Sequence, residues 1–319
     1  MILRRYRTSL VAIFALIVLL IYYWYQQPLI LSPFGARILS NQGTTLALAS
    51  LSQLIVVLTG GVDLSVGAIV GLSNSIAATY MGTSPASVIA VVILTLLAGA
   101  GAGFVNGVFV AYGRIQPIIV TLATLYIYSG IALIIRPQPG GSVPDFYAHA
   151  LTSAWGYLPY SLVALLFVAL LVWTPIMRSR LGIAIYAVGD NPGGAHMSAV
   201  NVTRTLVAAY TLGGLFAACA GLYLTAQTTS GDATIGTSYT LNSVAAVVFG
   251  GALLGGGSGV ALGPIVAAYF ISIIISVLFA AGVSPFYQSI FQGGILIVVL
   301  VVGNFWTLRA RNWLSILRT

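Results

Sequence analysis

The chain has no lysine and no glutamate: its charged residues, 5% of 319, are 12 arginines and four aspartates. A soluble domain carries roughly a quarter charged residues, so an ordinary aqueous fold is excluded. The missing lysine also excludes a phosphate-binding loop of the form G-x-x-x-x-G-K-[ST], whose lysine reaches the nucleotide phosphates. The chain cannot bind ATP in that way. Histidine is scarce as well: His149 and His196 fall in different connections, and without glutamate there is no paired-carboxylate or metal-ligand cluster. An enzyme reading has little to stand on, and no cofactor or metal is expected. The single cysteine, Cys219, precludes a disulfide within the chain and, inside an apolar run, reads as a small buried hydrophobe.

What is abundant is apolar: 59% of residues are hydrophobic and the mean hydropathy is +1.05. At about 20 residues per span plus a short connection, the length holds about ten transmembrane helices in one membrane domain, 1–319. Apolar runs near 10–25, 44–60, 64–81, 86–111, 118–135, 160–176, 205–227, 242–256, 262–280 and 288–303 predict an all-α integral membrane protein. The aromatic exit of the first run, Tyr22-Tyr23-Trp24-Tyr25, lacks a small-residue cleavage site, so this helix reads as retained. With the N-terminus in the cytoplasm, Arg4, Arg5, Arg7, Arg114, Arg178, Arg180, Arg204, Arg309, Arg311 and Arg318 lie inside. Only Arg37 and Arg136 are left outside, which supports an even span count with both termini cytoplasmic.

The connections differ in character. The outer stretches 26–43 and 136–158 hold Tyr147, Trp155 and Tyr157, which suit a membrane interface or a docking rim. The long inner connection, about 178–204, is polar. Within it Asp190 or Asn191 can cap a short helix, Pro192 suits the first helical position, and small residues run from Gly193 to Ala199. His196 and Met197 are its larger side chains, followed by Ser198. Such a helix can enter a groove on a partner or lie on the membrane surface.

Polar residues inside the spans carry the rest of the reading. Thr59-Gly60-Gly61-Val62-Asp63-Leu64-Ser65-Val66-Gly67 interrupts a long apolar stretch and predicts a helix broken at glycines. Asp63 with Ser65 can cap the helix that follows. Asp63 is also the only acidic residue near a span interior, where an ionised group is costly and usually functional. Both roles, local cap and gate, stay open. Gly99, Gly101, Gly103 and Gly107 surround Asn106, a spacing that close helix packing explains. Uncharged groups recur at Gln53, Asn74, Thr121, Thr124, Tyr126, Tyr210, Gln227, Asn242 and Gln292. Amides, hydroxyls and aromatic surfaces suit a path for a neutral, hydroxyl-rich solute, although each singly can be a packing contact. The candidate path or gate is Gln53, Asp63, Ser65, Asn74, Asn106, Thr121 and Asn242. Residues 55–78 overlay 245–268, with Gly60-Gly61 on Gly250-Gly251, the pattern of an internal duplication.

Four segments in order resemble the permease family of ribose-type ABC importers, related to the branched-chain amino acid permeases. They are Leu58 to Gly67; Asn106-Gly107 with Ile115-Gln116-Pro117-Ile118-Ile119-Val120-Thr121-Leu122; Arg180-Leu181-Gly182 with Tyr186-Ala187-Val188-Gly189-Asp190-Asn191; and Val244 to Gly257. The resemblance implies a multi-pass protein of the bacterial cytoplasmic membrane, with a second permease subunit, the same chain or a paralogue, across a central path. It further implies cytoplasmic ATP-binding subunits, an extracytoplasmic sugar-binding protein, a small sugar as substrate, and no nucleic acid. ATPase coupling then falls to the inner connection, at Asp190, Asn191, His196, Met197 and Ser198. One departure is plain: Tyr239-Thr240-Leu241-Asn242 is neutral where many relatives carry an acidic pair. The competing reading is an ion-coupled secondary transporter, for which only Asp63 offers a midplane charge.

Overall fold

The computed structural model describes residues 2–284 and the single helical positions Tyr287, Ile290, Gly293, Gly294 and Ile297. The expected span near 288–303, with Gln292, falls mostly outside the described residues, as do Arg309, Arg311 and Arg318. The described part is helical, apart from a two-stranded antiparallel pair, Ala154–Trp155 with Leu158–Pro159. Its helices are α1 (Ile2–Gln26), α2 (Pro33–Val57), α3 (Val66–Tyr80), α4 (Pro85–Ala111), α5 (Pro117–Ile135) and α6 (Asp145–Thr152). They continue with α7 (Tyr160–Phe167), a π-helical turn (Val168–Trp173), α8 (Thr174–Arg178), α9 (Arg180–Asp190), α10 (Pro192–Met197), α11 (Val202–Thr228), α12 (Thr237–Phe249) and α13 (Leu262–Ala280).

Local chemistry sets these starts. Proline opens α2, α4, α5 and α10, where its missing N–H costs nothing. Ser32, Ser84, Asn191 and Asn201 accept from the free amides of Gly35, Ser87, Gly194 and Arg204, satisfying donors that a helix start leaves orphaned. Asn191, not Asp190, is therefore the cap of α10, and Asp190 closes α9.

Among the described residues six helices are long and apolar enough to cross a membrane: Ser9–Gln26, Pro85–Ala111, Pro117–Ile135, Tyr160–Arg178, Val202–Thr228 and Leu262–Ala280. Three further elements were expected to span. The glycine-rich breaks leave α3 with 15 residues and α12 with 13. The remaining one, α2, carries Ser40, Asn41, Gln42, Thr44, Thr45, Ser50, Ser52 and Gln53. It is the buried axis of the bundle: every residue from 43 to 57 is buried, against α11, α13, α12 and α3. Part of its polar content turns inward on its own backbone: Thr44 donates to the Ser40 carbonyl at 2.8 Å and Ser50 to the Leu46 carbonyl at 2.7 Å. A helix surrounded by protein rather than lipid tolerates this.

The tightest helix pair is α4 with α11. A Cβ at Gly103 would fall on the Tyr210 carbonyl, and one at Gly214 on the Gly99 carbonyl; Gly107 lies over Val207. Three of the four α4 glycines thus serve close approach, while Gly101 meets nothing within 4 Å. The opposite faces of α4 and α5 are apolar and exposed, among them Leu97, Phe104, Ile119, Ile127 and Ile134. The two overlaid segments share a helix–break–helix plan. Their positive-φ glycines, Gly60 (φ 86) and Gly251 (φ 91), fall one position apart in the overlay.

Candidate functional site

The break between α2 and α3 gathers five of the seven candidate path residues. Gln53, Asp63, Ser65, Asn106 and Thr121 are all fully buried, at 0% exposure. With its amide turned to suit its neighbours, Gln53 donates to the Asp63 carbonyl at 2.8 Å and accepts from the Asp63 N–H at 3.1 Å. One turn of α2 therefore holds the backbone of the break. The Asp63 side chain folds onto the next turn: Oδ1 accepts from the Ser65 N–H at 2.8 Å and from the Ser65 hydroxyl at 2.6 Å. The Ser65 oxygen accepts in turn from Asn106 Nδ2 at 2.8 Å. Thr121 donates to the Pro117 carbonyl at 2.9 Å and stands 3.3 Å from that of Val62.

This corrects the expected cap. Ser65 occupies the N-cap position of α3 but makes no side-chain cap bond; its hydroxyl is committed between Asp63 and Asn106. Asp63 engages Ser65 itself rather than the first amides inside the helix.

The network extends to a residue that the sequence reading passed over. Tyr128 donates to the Ala102 carbonyl at 2.8 Å and stands 3.2 Å from Asn106 Oδ1. Its neighbour Tyr126, expected in the path, is 70% exposed on the outer face of α5. Two residues apart on a helix point to nearly opposite sides, whereas Thr121, Thr124 and Tyr128 share one face at i, i+3 and i+7. That spacing was available in the sequence.

Asn74 lies elsewhere, toward the other end of α3. Its Nδ2 donates to Thr225 Oγ1 at 2.9 Å and the Ser230 carbonyl at 3.1 Å, and its Oδ1 accepts from the Asp232 N–H at 2.7 Å. It pins the end of α11 to α3. Asn242, half-buried on α12, joins neither group, and Gln227 is exposed.

Two polar atoms at the break stay without partners among the described residues, Asp63 Oδ2 and the Tyr210 hydroxyl. The Tyr210 hydroxyl sits against Gly61, where a Cβ would approach it to 2.6 Å. Tyr210 also lines a cavity of about 300 Å³ with Thr59, Gly60, Gly61, Arg114 and Gln116. A carboxyl group buried without a basic partner is expensive to keep. Among the described residues the carboxyl is surrounded by amides, hydroxyls and backbone, whose hydrogen bonds run largely to one another.

Beyond the same end of the bundle lies the connection 178–204. In α10, Ala195 is buried at 5% exposure, while Met197 is 90% exposed and His196, Ser198, Asp190 and Asn191 are also on the surface. Asn191 Oδ1 accepts from the Gly194 N–H at 3.0 Å. A short capped helix thus offers its two largest side chains outward.

Comparison with known proteins settles the family. Residues 35–300 match the model for the permease component of branched-chain amino acid transport systems. The chain belongs to that family of permeases. It is 32% identical over 274 residues to the ribose import permease protein of Escherichia coli (strain K12), covering 83% of this chain and 84% of that one. The galactose/methyl galactoside import permease protein of Haemophilus influenzae is 33% identical over 313 residues, covering 91% and 92%. The autoinducer 2 import system permease protein of Escherichia coli O157:H7 is 31% identical over 280 residues, covering 85% and 84%. No solved structure gives a significant match. With six apolar helices of spanning length among the described residues, this permease is a multi-pass membrane protein.

Proposed function

We propose that this permease is the translocation subunit of an ATP-driven importer that carries a small neutral sugar or sugar-like solute into the cytoplasm. The observation that carries the reading is the match, across most of the chain, to permeases named for ribose, galactose and autoinducer 2. The site is consistent with it, since a buried group of Gln53, Ser65, Asn106, Thr121 and Tyr128 around one carboxyl suits an uncharged, hydroxyl-rich solute.

On this reading the protein resides in the bacterial cytoplasmic membrane with about ten spans and both termini inside. The arginine asymmetry supports that orientation. So does the grouping of Arg114 with the break at Thr59–Gly61 around one cavity, on the side where Gly189 of α9 meets Leu58. Two permease subunits, identical or paralogous, enclose the path; an extracytoplasmic binding protein delivers the sugar, and separate cytoplasmic subunits hydrolyse ATP. The surface formed by Asp190, Asn191, His196, Met197 and Ser198 docks on the ATPase. The exposure of Met197 and His196 supports that role.

Replacing His196 and Met197 together by aspartate tests the docking surface. The expected result is loss of ATPase co-purification, or of hydrolysis stimulated by the sugar-loaded binding protein, with the permease still in the membrane. Normal assembly and normal stimulated hydrolysis would move the coupling surface elsewhere. The unpartnered Asp63 Oδ2 is the one feature that favours an ion-coupled secondary transporter instead; the energy source of uptake separates the two.

A further inference from the structure

Three backbone segments from distant parts of the chain meet next to the break, largely main chain against main chain. The Gly257 N–H donates to the Leu58 carbonyl at 3.0 Å. A Cβ on Gly189, the penultimate residue of α9, would fall on that same carbonyl oxygen and come within 2.9 Å of the Leu58 carbonyl carbon. On Gly256 (φ 89) a Cβ would stand 2.7 Å from the Gly60 nitrogen and 2.8 Å from the Gly189 oxygen. On Gly257 (φ 70) it would stand 2.8 Å from Asp190 Cα. Both positive-φ positions are ones that residues with a Cβ resist. Each of the three segments therefore touches the other two through main chain. Tyr186, one turn earlier on α9, secures the same junction by donating to the Gly259 carbonyl at 2.8 Å. Buried Ile185 and Val188 anchor α9 beneath it.

The three segments are not equivalent in what they lead to. Asp190 and Asn191 follow Gly189 directly and begin the proposed coupling surface. Leu58 to Gly61 precede Asp63, whose backbone Gln53 holds from α2. Residues 255–257 form the second glycine-rich break. We infer that Gly189, Gly256 and Gly257 are positioning residues for transport: their bare backbones transmit displacement of the 190–198 segment to the break that carries Asp63. Long side chains at this contact would absorb part of a small displacement by changing rotamer. Close-packed main chain has no such slack and moves as a unit. The inference rests on the docking role of 190–198 proposed above.

Gly189→Ala tests it in the full complex with ATPase and binding protein. Three quantities are read: ATPase co-purification, sugar uptake, and nucleotide-dependent hydrogen–deuterium exchange in peptides covering 59–65 and 190–198. The expected variant still binds the ATPase and keeps the exchange response at 190–198. It loses the response at 59–65, and uptake falls about tenfold or more, the scale of an ordinary coupling free energy. Gly101→Ala, a methyl added where nothing lies within 4 Å, is expected to keep all three. If Gly189→Ala does not insert, Tyr186→Phe carries the test, because it removes a hydroxyl and adds no atom. It is expected to weaken the 59–65 response and uptake while 190–198 still responds. A full response at 59–65 with normal uptake, in whichever of the two variants is inserted, overturns the relay. No nucleotide response at 190–198 in the unaltered complex would instead overturn the docking reading, and the relay with it.

Discussion

Asparagine at position 63 separates the ionisable acid of the buried carboxyl from its hydrogen bonds. Asp63 Oδ1 accepts two of them, from the Ser65 N–H and hydroxyl, in a site with 0% exposure. Asp63→Ala would leave both donors buried without that acceptor. At about 1–3 kcal/mol for each, the loss is about 2–6 kcal/mol, a large share of the 5–15 kcal/mol that typically holds a protein together. Membrane abundance of the alanine variant should therefore collapse, which says nothing about transport. Asp63→Asn retains an acceptor oxygen at the same place. Both hydrogen bonds from Ser65 keep an acceptor, so the exchange should cost only about 1–2 kcal/mol and leave the bundle inserted. What is removed is the ionisable group at the break. If the break is the gate, uptake per permease molecule should drop by about tenfold, corresponding to about 1.4 kcal/mol, while abundance stays at roughly half of normal or more. The assay is uptake of labelled sugar by proteoliposomes holding permease, ATPase and binding protein, normalised to permease content. Wild-type uptake per molecule in Asp63→Asn would refute the gate role and leave Asp63 as a local turn element.

Other perturbations follow from the same geometry. Tyr128→Phe removes the hydroxyl shared between the Ala102 carbonyl and Asn106 Oδ1 and should cost about 1–2 kcal/mol, seen as a lower melting temperature of the purified protein. Gly103→Leu should destabilise the protein by several kcal/mol, because its side chain meets the Tyr210 backbone where α4 and α11 touch. Gly101→Leu should leave the melting temperature nearly unchanged, and equal effects would remove the close-packing account. Asn191→Ala deletes the cap that accepts from Gly194; at about 1 kcal/mol it should fray α10 and reduce ATPase co-purification without loss of permease from the membrane.

Features encoded by neighbouring residues were legible in the sequence. Pro192 behind Asn191 marks the start of α10, and Gly60 marks the break, since a cap or a positive φ depends on a few adjacent positions. Gln53, Asp63, Ser65, Asn106 and Thr121 were legible singly as polar groups in apolar helices, which need partners; that these five cluster while Asn74 and Asn242 lie apart depends on long-range packing that the sequence does not display. Tyr128 shares a readable face with Thr121 and Thr124, whereas Tyr126, two positions earlier, lies on the exposed side of α5. The Ser65 cap was misjudged because Asn106, 41 positions away, claims its oxygen. Gly189 stood out only as part of the Tyr186–Asn191 resemblance: its need for a bare Cα arises only where Leu58 and Gly257 arrive from other parts of the chain. The overlay of 55–78 on 245–268 showed two breaks but not that they touch.

The energy source of uptake tests the central claim most directly. Proteoliposomes containing this permease, its ATPase and its binding protein, with ATP inside the vesicle compartment that the ATPase faces, should accumulate labelled sugar. Uptake should stop when ATP is withheld or the binding protein omitted, and should continue when a protonophore dissipates the ion gradient. Uptake that persists without ATP and collapses with the protonophore would contradict the importer reading and make Asp63 the ion site of a secondary transporter.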